Sequence, residues 1–254
     1  MAKVVKSAAR SLDILEYFEA KREPISLKDM ADHFEWPVSS VASLLKSMVQ
    51  KGYLAYDRFG RTYVPTMRLA TLGHWVGEAL FQGDEVLDVM RELQETTGET
   101  ISLGAQSDLQ AQHIHVLPSR AELNVALRPG TCRPLTRSGL GILLLSARDD
   151  ETIERLLRRI NAEEPDLSRR QTFEEVLARV NQVREDGYVH ARHTFVQGVA
   201  IVGMLLPTRR LDRIMAVSVV GPDARLATLR DSIVETLRGR LARLAPQDAP
   251  NLHI

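Results

Sequence analysis

The order of cap and turn signals in residues 26–64 leaves this chain few folds to choose from. Ser26 is placed to accept from the backbone N–H three residues on while Asp29 reaches back, so Leu27, Met30, Ala31 and Phe34 start as a helix. Trp36 and Pro37 stop it. A second helix is expected from about Ser39, because Val41, Leu44, Leu45, Met48 and Val49 recur at helical spacing; Ser40, Ala42, Ser43, Lys46, Ser47 and Gln50 then face outward. Gly52 ends that helix. Tyr53–Arg58 and Arg61–Val64 are β-prone runs about Phe59 and Gly60, which brings Arg58 and Arg61 to the tip of a hairpin. Helix, turn, helix and hairpin in this order read as a winged helix-turn-helix. Ala8, Leu12, Leu15 and Phe18 mark a further helix packed beneath it.

The outward face of the second helix is small and hydrogen-bonding. Short side chains let a helix approach base edges in a DNA major groove, hydroxyls and a lysine can contact bases or phosphate, and wing arginines suit phosphate or the minor groove. Ser39, Ser40, Ala42, Ser43, Lys46, Ser47, Arg58 and Arg61 are therefore the candidate DNA contacts. Charge limits the mode of binding. The whole chain has 33 basic and 33 acidic side chains, which argues against coating nucleic acid non-specifically. Residues 1–66 carry ten Lys or Arg against eight Asp or Glu, a weak excess that calls for several copies acting together.

A chain of 254 residues with 44% hydrophobic content can bury one sizeable core and a small one. The expected division is a DNA-binding domain over 1–66, a linker helix over 67–83, a ligand-sensing domain over 84–244 and a flexible tail over 245–254. Leu69, Leu72, Val76 and Leu80, with Trp75 beside them, give the linker helix an apolar stripe suited to pairing with its twin in a second copy, or to packing on its own chain. Gly83 and Asp84 break the pattern before a helix from Glu85 to Thr97. Strands are then expected at 100–106, 112–117, 122–127, 188–191, 198–206 and 213–220, and helices at 136–147, 150–160, 172–186 and 223–244. Thr172 with Glu175 makes a capping box, and Gly187 closes the same helix. Strand pairs grouped before and after central helices favour an α+β domain, a mainly antiparallel sheet covered by helices.

Several chemistries are disfavoured. Cys132 is the single cysteine, which forbids an intrachain disulfide and suits a reducing cytoplasm; no signal-peptide core is seen, and the apolar run 199–206 is too short to span a bilayer. His113 and His115, two apart on a strand and so sharing a face, could bind a metal with His190 and His193, which makes a metal sensor or metalloenzyme the alternative reading. Neither Cys-x-x-Cys nor His-Glu-x-x-His supports it. Cys132, expected in a loop, lacks a nucleophile turn, and glycine-rich phosphate loops are missing, so neither an enzyme nor a cofactor is expected.

Three stretches give the chain a resemblance to the IclR family of bacterial transcription regulators: residues 37–45 with Gly52, Tyr53 and Leu54; residues 134–141, leading into a helix; and Gly187-Tyr188 followed by 198–202 and 216–222. The resemblance implies an effector-binding carboxy-terminal domain, no enzymatic activity, and dimers or dimers of dimers on double-stranded operator DNA, with repression favoured over activation. It also implies a ligand pocket built from the helix start at Ser138, Gly139, Leu140 and Gly141 and from the last strands. Free N–H groups at a helix start suit a carboxylate. Two departures matter. Ser43 stands where the family usually has Arg. Ile201 and Val220 are apolar where relatives that bind very small acids are often polar, with Ser218 keeping a hydroxyl, so a greasier pocket and an aromatic or largely apolar effector are expected. Arg137, or Arg192 with His193, is the expected counter-charge.

Overall fold

The computed structural model describes residues 5–81, 85–120, 127–192, 196–207 and 213–244. Gly83, Asp84, the expected strand at 122–127 apart from Leu127, His193 and the tail after Leu244 lie outside them. The chain divides into two compact units, residues 1–78 and 79–254.

In the first unit α1 (Lys6–Lys21) is followed by a two-residue strand, β1 (Ile25–Ser26), then α2 (Leu27–Phe34) and α3 (Val38–Gln50). Ser26 caps α2 as expected, its Oγ accepting from Asp29 N–H at 3.2 Å; the Asp29 carboxylate returns not to the backbone but to the Ser26 hydroxyl, which donates to Oδ2 at 2.7 Å. Glu35 in the left-handed region ends α2, and Pro37 supplies the N-cap of α3 without a side-chain cap. β2 (Leu54–Asp57) and β3 (Thr62–Pro65) form the wing and β1 joins its outer side, giving an antiparallel sheet in the order β1-β3-β2. Ile14, Phe18, Met30, Val41, Leu45 and Leu54 make a small separate core. α4 (Met67–Phe81) follows the wing, with Met67, Leu72 and Trp75 exposed.

The second unit opens with α5 (Glu85–Thr97), β4 (Thr100–Ser107) and β5 (Gln110–Leu117). A strand that sequence patterning missed, β6 (Cys132–Pro134), pairs with β5 at the sheet edge; Cys132, expected in a loop, is its exposed first residue. α6 (Gly139–Ser146), α7 (Asp150–Glu163), a short 3-10 turn (Leu167–Arg169) and α8 (Phe173–Asp186) come next, then β7 (Val189–Arg192), β8 (Val199–Leu205), β9 (Met215–Pro222) and α9 (Asp223–Leu244). The six strands lie in the order β6-β5-β4-β9-β8-β7, every neighbour antiparallel. Alternation along β9 divides the packing: Met215, Val217 and Val219 join the core with α5 and α9, whereas Ala216 and Val220 join a second core with α6, α7 and α8. Helices thus cover both faces.

α6 begins at Gly139, three residues later than expected, because Pro134–Arg137 form a turn and Ser138 is the N-cap, accepting from Gly141 N–H at 3.1 Å. The start of α6 presses on its surroundings. A Cβ at Gly141 would lie 1.9 Å from the Leu135 carbonyl oxygen, and one at Gly139 2.3 Å from Ile201 Cγ2. Both glycines are required for this close approach.

Candidate functional site

Two features stand out, one in each unit. On α3, Ser39, Ser43, Lys46 and Ser47 are exposed and Ser40 and Ala42 half-buried, while Val41, Leu45 and Met48 hold the helix to its core. The Ser43 and Ser47 hydroxyls donate to the carbonyls of Ser39 and Ser43, each at 2.9 Å. With their protons committed to the helix, these oxygens present acceptor lone pairs outward. Lys6, Ser7 and Arg10 of α1 line a shallow groove with Ser39, Ser43 and Ser47, a basic contribution that sequence reading missed. The Arg10 guanidinium stacks 4.4 Å from the centre of the Trp36 ring, which fixes its stem.

Arg58 and Arg61 both project from the wing tip. The Asp57 carboxylate holds that tip by accepting from Phe59 N–H at 2.9 Å and Gly60 N–H at 3.1 Å, an Asx turn, and Arg61 takes a left-handed backbone. Phe59, which sequence reading used only as a turn marker, is 100% exposed between the two arginines.

In the second unit a cavity of about 60 Å³ lies on the α6 side of the sheet. Leu127, Leu140, Ala191, Val199, Ile201 and Val220 give it apolar walls. Ser138, at the start of α6, His113 and Arg133 supply its polar groups. Of the residues singled out from sequence, Ser138, Gly139, Leu140, Ile201 and Val220 line it. Arg137 instead pairs with Glu164 at 3.2 Å, and Ser218 is fully buried in the sheet, its hydroxyl 3.4 Å from the Ser102 carbonyl. Arg192 is held in a bidentate pair with Asp223, both contacts 2.6 Å, at the start of α9. Arg133 was missed, its only signal being proximity in sequence to the helix start, and His113 was singled out as a metal ligand rather than as a wall of this cavity.

The shared face expected for His113 and His115 does not exist. A bulge between the pairs Leu103–His115 and Gly104–His113 leaves Ile114 extra, so the two rings point to opposite sides of the sheet. His190 pairs with Val202, whose side chain joins the α5 and α9 core, again away from the cavity. Burial lowers the proton affinity of His115 and His190, and among the described residues no three His, Cys, Asp or Glu side chains gather as a metal site. His113 is 4% exposed; burial, helped by the nearby Arg133 charge, lowers its pKa to about 4, so its ring is neutral at pH 7. No helix among the described residues is long and apolar enough to cross a membrane.

Comparison with known proteins finds a match for each unit. Residues 84–243 match the model of the bacterial transcriptional regulator IclR C-terminal domain, and residues 7–58 that of the IclR helix-turn-helix domain. The HTH-type transcriptional regulator KdgR of Dickeya chrysanthemi is 29% identical over 187 residues, 72% of this chain and 60% of that protein, so the chain spans less than two thirds of this relative's length. The acetate operon repressor of Salmonella typhimurium is 25% identical over 236 residues, 87% of this chain and 82% of the repressor. Among solved structures, the effector domain of a transcriptional regulator from Acinetobacter sp. ADP1 superposes with a TM-score of 0.61 at 28% identity over 68% of this chain and 99% of that one. The Thermotoga maritima IclR, at 17% identity, shares the fold with a TM-score of 0.70 over 94% of this chain and 99% of that one. A helix-turn-helix unit and an effector-type domain, each matched by its own family model, make this chain a member of the IclR family of transcription regulators, which are not enzymes.

Proposed function

We propose that the protein is a cytoplasmic, effector-controlled repressor that binds operator DNA as a homodimer or dimer of dimers. The observation that carries this reading is the outward face of α3, where Ser39, Ser43, Lys46 and Ser47 are exposed and Ser40 and Ala42 half-buried, while Val41, Leu45 and Met48 anchor the opposite face in the core. Outward serine acceptors suit the exocyclic amino groups of adenine and cytosine, and Lys46, Arg58 and Arg61 suit phosphates. Repression is favoured because several relatives carry the word in their names. The exposed Met67, Leu72 and Trp75 of α4 support pairing of that helix with its twin.

The effector we propose is a compact, mostly apolar organic acid, its carboxylate against the start of α6 and its body against Leu140, Ile201 and Val220. Arg133, which lines the cavity, is the counter-charge we propose; Arg137 and Arg192 face Glu164 and Asp223. Cavity size favours a branched aliphatic body: an engineered cavity that takes benzene measures roughly 150 Å³, more than twice the space here, so an aromatic ring enters only if the walls move.

The test begins with a duplex enriched from a random-sequence pool by the full chain. Binding should weaken steeply with salt, and charge reversal at Lys46, Arg58 or Arg61 should each lower the salt slope by about one. Absence of any salt-sensitive sequence preference rejects the DNA reading. Calorimetry with isovalerate, benzoate and pyruvate tests the effector; tightest binding by pyruvate rejects an apolar pocket.

A further inference from the structure

His113 is a donor-bearing residue at the wall of the cavity, and its chemistry is set by a neighbour it cannot avoid. Ser102 lies on β4 and is fully buried, with its Oγ 2.6 Å from Nδ1 of His113. That hydroxyl has no other acceptor within reach among the described residues. Were Nδ1 protonated, two donors would face each other across 2.6 Å, or the serine proton would be left buried without an acceptor. The hydroxyl therefore donates to Nδ1, and the one proton of the neutral ring resides on Nε2. Nε2 finds no partner among the described residues, although the ring is 96% buried and lines the cavity.

Among the described residues the polar side chains and free N–H groups at the cavity are then mainly donors: Nε2–H of His113, the Arg133 guanidinium, and the N–H groups of the first turn of α6, while the cap oxygen of Ser138 already accepts from Gly141 N–H. Among the described residues no carboxylate lines it to receive an ammonium group. From this we infer that His113 is a specificity-determining residue that donates to an effector carboxylate oxygen, and that the cavity accepts acids lacking an amino group while rejecting the amino acids of the same carbon skeleton. The inference rests on the effector reading above and sharpens it. A charged amine brought here would lose its water and meet only like-directed dipoles.

Isovalerate and valine form a matched pair, differing by the ammonium group alone, and isopentylamine is the amine without the acid. Calorimetric titration of the full chain should show binding of isovalerate and none of valine or isopentylamine. His113→Phe should weaken isovalerate on the order of 30-fold, the loss expected for a hydrogen bond to a charged group, and His113→Gln, which keeps an N–H donor, should recover most of it. Long-range proton–nitrogen NMR of the unsubstituted protein at pH 7 should show the Nε2–H tautomer, with Nε2 shifting more than Nδ1 as isovalerate is added. An Nδ1–H tautomer, equal affinity for valine, or unchanged affinity in a folded His113→Phe variant overturns the role of His113 while leaving an effector cavity standing. If none of the acids binds the unsubstituted protein, the effector reading itself falls.

Discussion

The contrast between His113 and His115 turns on one residue. Their spacing places two imidazoles on one face of a strand, and the inserted Ile114 sends them to opposite faces; nothing in the local composition announces a bulge. Counter-charges are equally hidden. Arg133, Arg137 and Arg192 are alike as residue types, but Glu164, twenty-seven positions from Arg137, and Asp223, thirty-one from Arg192, claim two of them through tertiary contacts that no sequence window contains. Ser138, Ile201 and Val220 were named through the family resemblance alone, and they do line the cavity. The His113 pKa has a consequence for stability. It falls from 6.5 to about 4 on folding, so between those values the unfolded chain binds more protons than the native one, and stability declines as pH drops from about 6.5 toward 4. The loss from this group is about 3 kcal/mol when complete. His115 and His190, lowered in the same direction, add to it. Urea unfolding midpoints across this window should fall less steeply for His113→Gln than for the unsubstituted chain; parallel profiles would contradict the buried neutral ring.

At the scale of elements, short-range chemistry was read well and close packing was not. The Thr172–Glu175 capping box is present in full, with Thr172 N–H donating to Glu175 Oε2 at 2.9 Å and Glu175 N–H to Thr172 Oγ1 at 3.2 Å, and Gly187 closes the helix at φ 75°. Thr172→Ala should cost about 1 kcal/mol, measurable by chemical denaturation. β6 escaped notice because three residues ending in proline carry no alternation, and a strand that short exists only where β5 offers an edge. The start of α6 was misplaced at Thr136 because its apolar run, Leu140–Leu145, is buried all round and gives no periodic stripe from which to count back. Its glycines have a steric meaning that composition cannot express. Gly141→Ala drives a methyl into the Leu135 carbonyl and should destabilise by about 2–4 kcal/mol. Gly139→Ala presses on Ile201 and Ala191, both at the cavity wall, and should weaken isovalerate binding more than it lowers the unfolding midpoint.

For the whole molecule the α+β class and the antiparallel sheet followed from grouped strand pairs, since such pairs need only short turns whereas parallel strands need a long crossover. Separate cores in the two units, one around Ile14 and Leu45 and the others on the two faces of the six-stranded sheet, mean that each buries its own apolar surface. A fragment of residues 84–244 should therefore fold and bind isovalerate with the affinity of the full chain in the absence of DNA; failure to fold would show that the second unit depends on residues before 84. The full chain should behave differently once DNA is present. If the operator and the acid each favour a different arrangement of the oligomer, their binding free energies are coupled, and linkage requires that the factor by which isovalerate changes operator affinity equal the factor by which the operator changes isovalerate affinity. Fluorescence anisotropy of a labelled selected duplex, with and without saturating isovalerate, gives the first factor, and calorimetry of isovalerate into protein with and without saturating duplex gives the second. Equal factors different from one establish that cavity and DNA face communicate, whichever direction the regulation takes. A value of one in both measurements, with each ligand bound normally, means that the cavity is occupied without bearing on the operator, and control of DNA binding by this acid is then excluded.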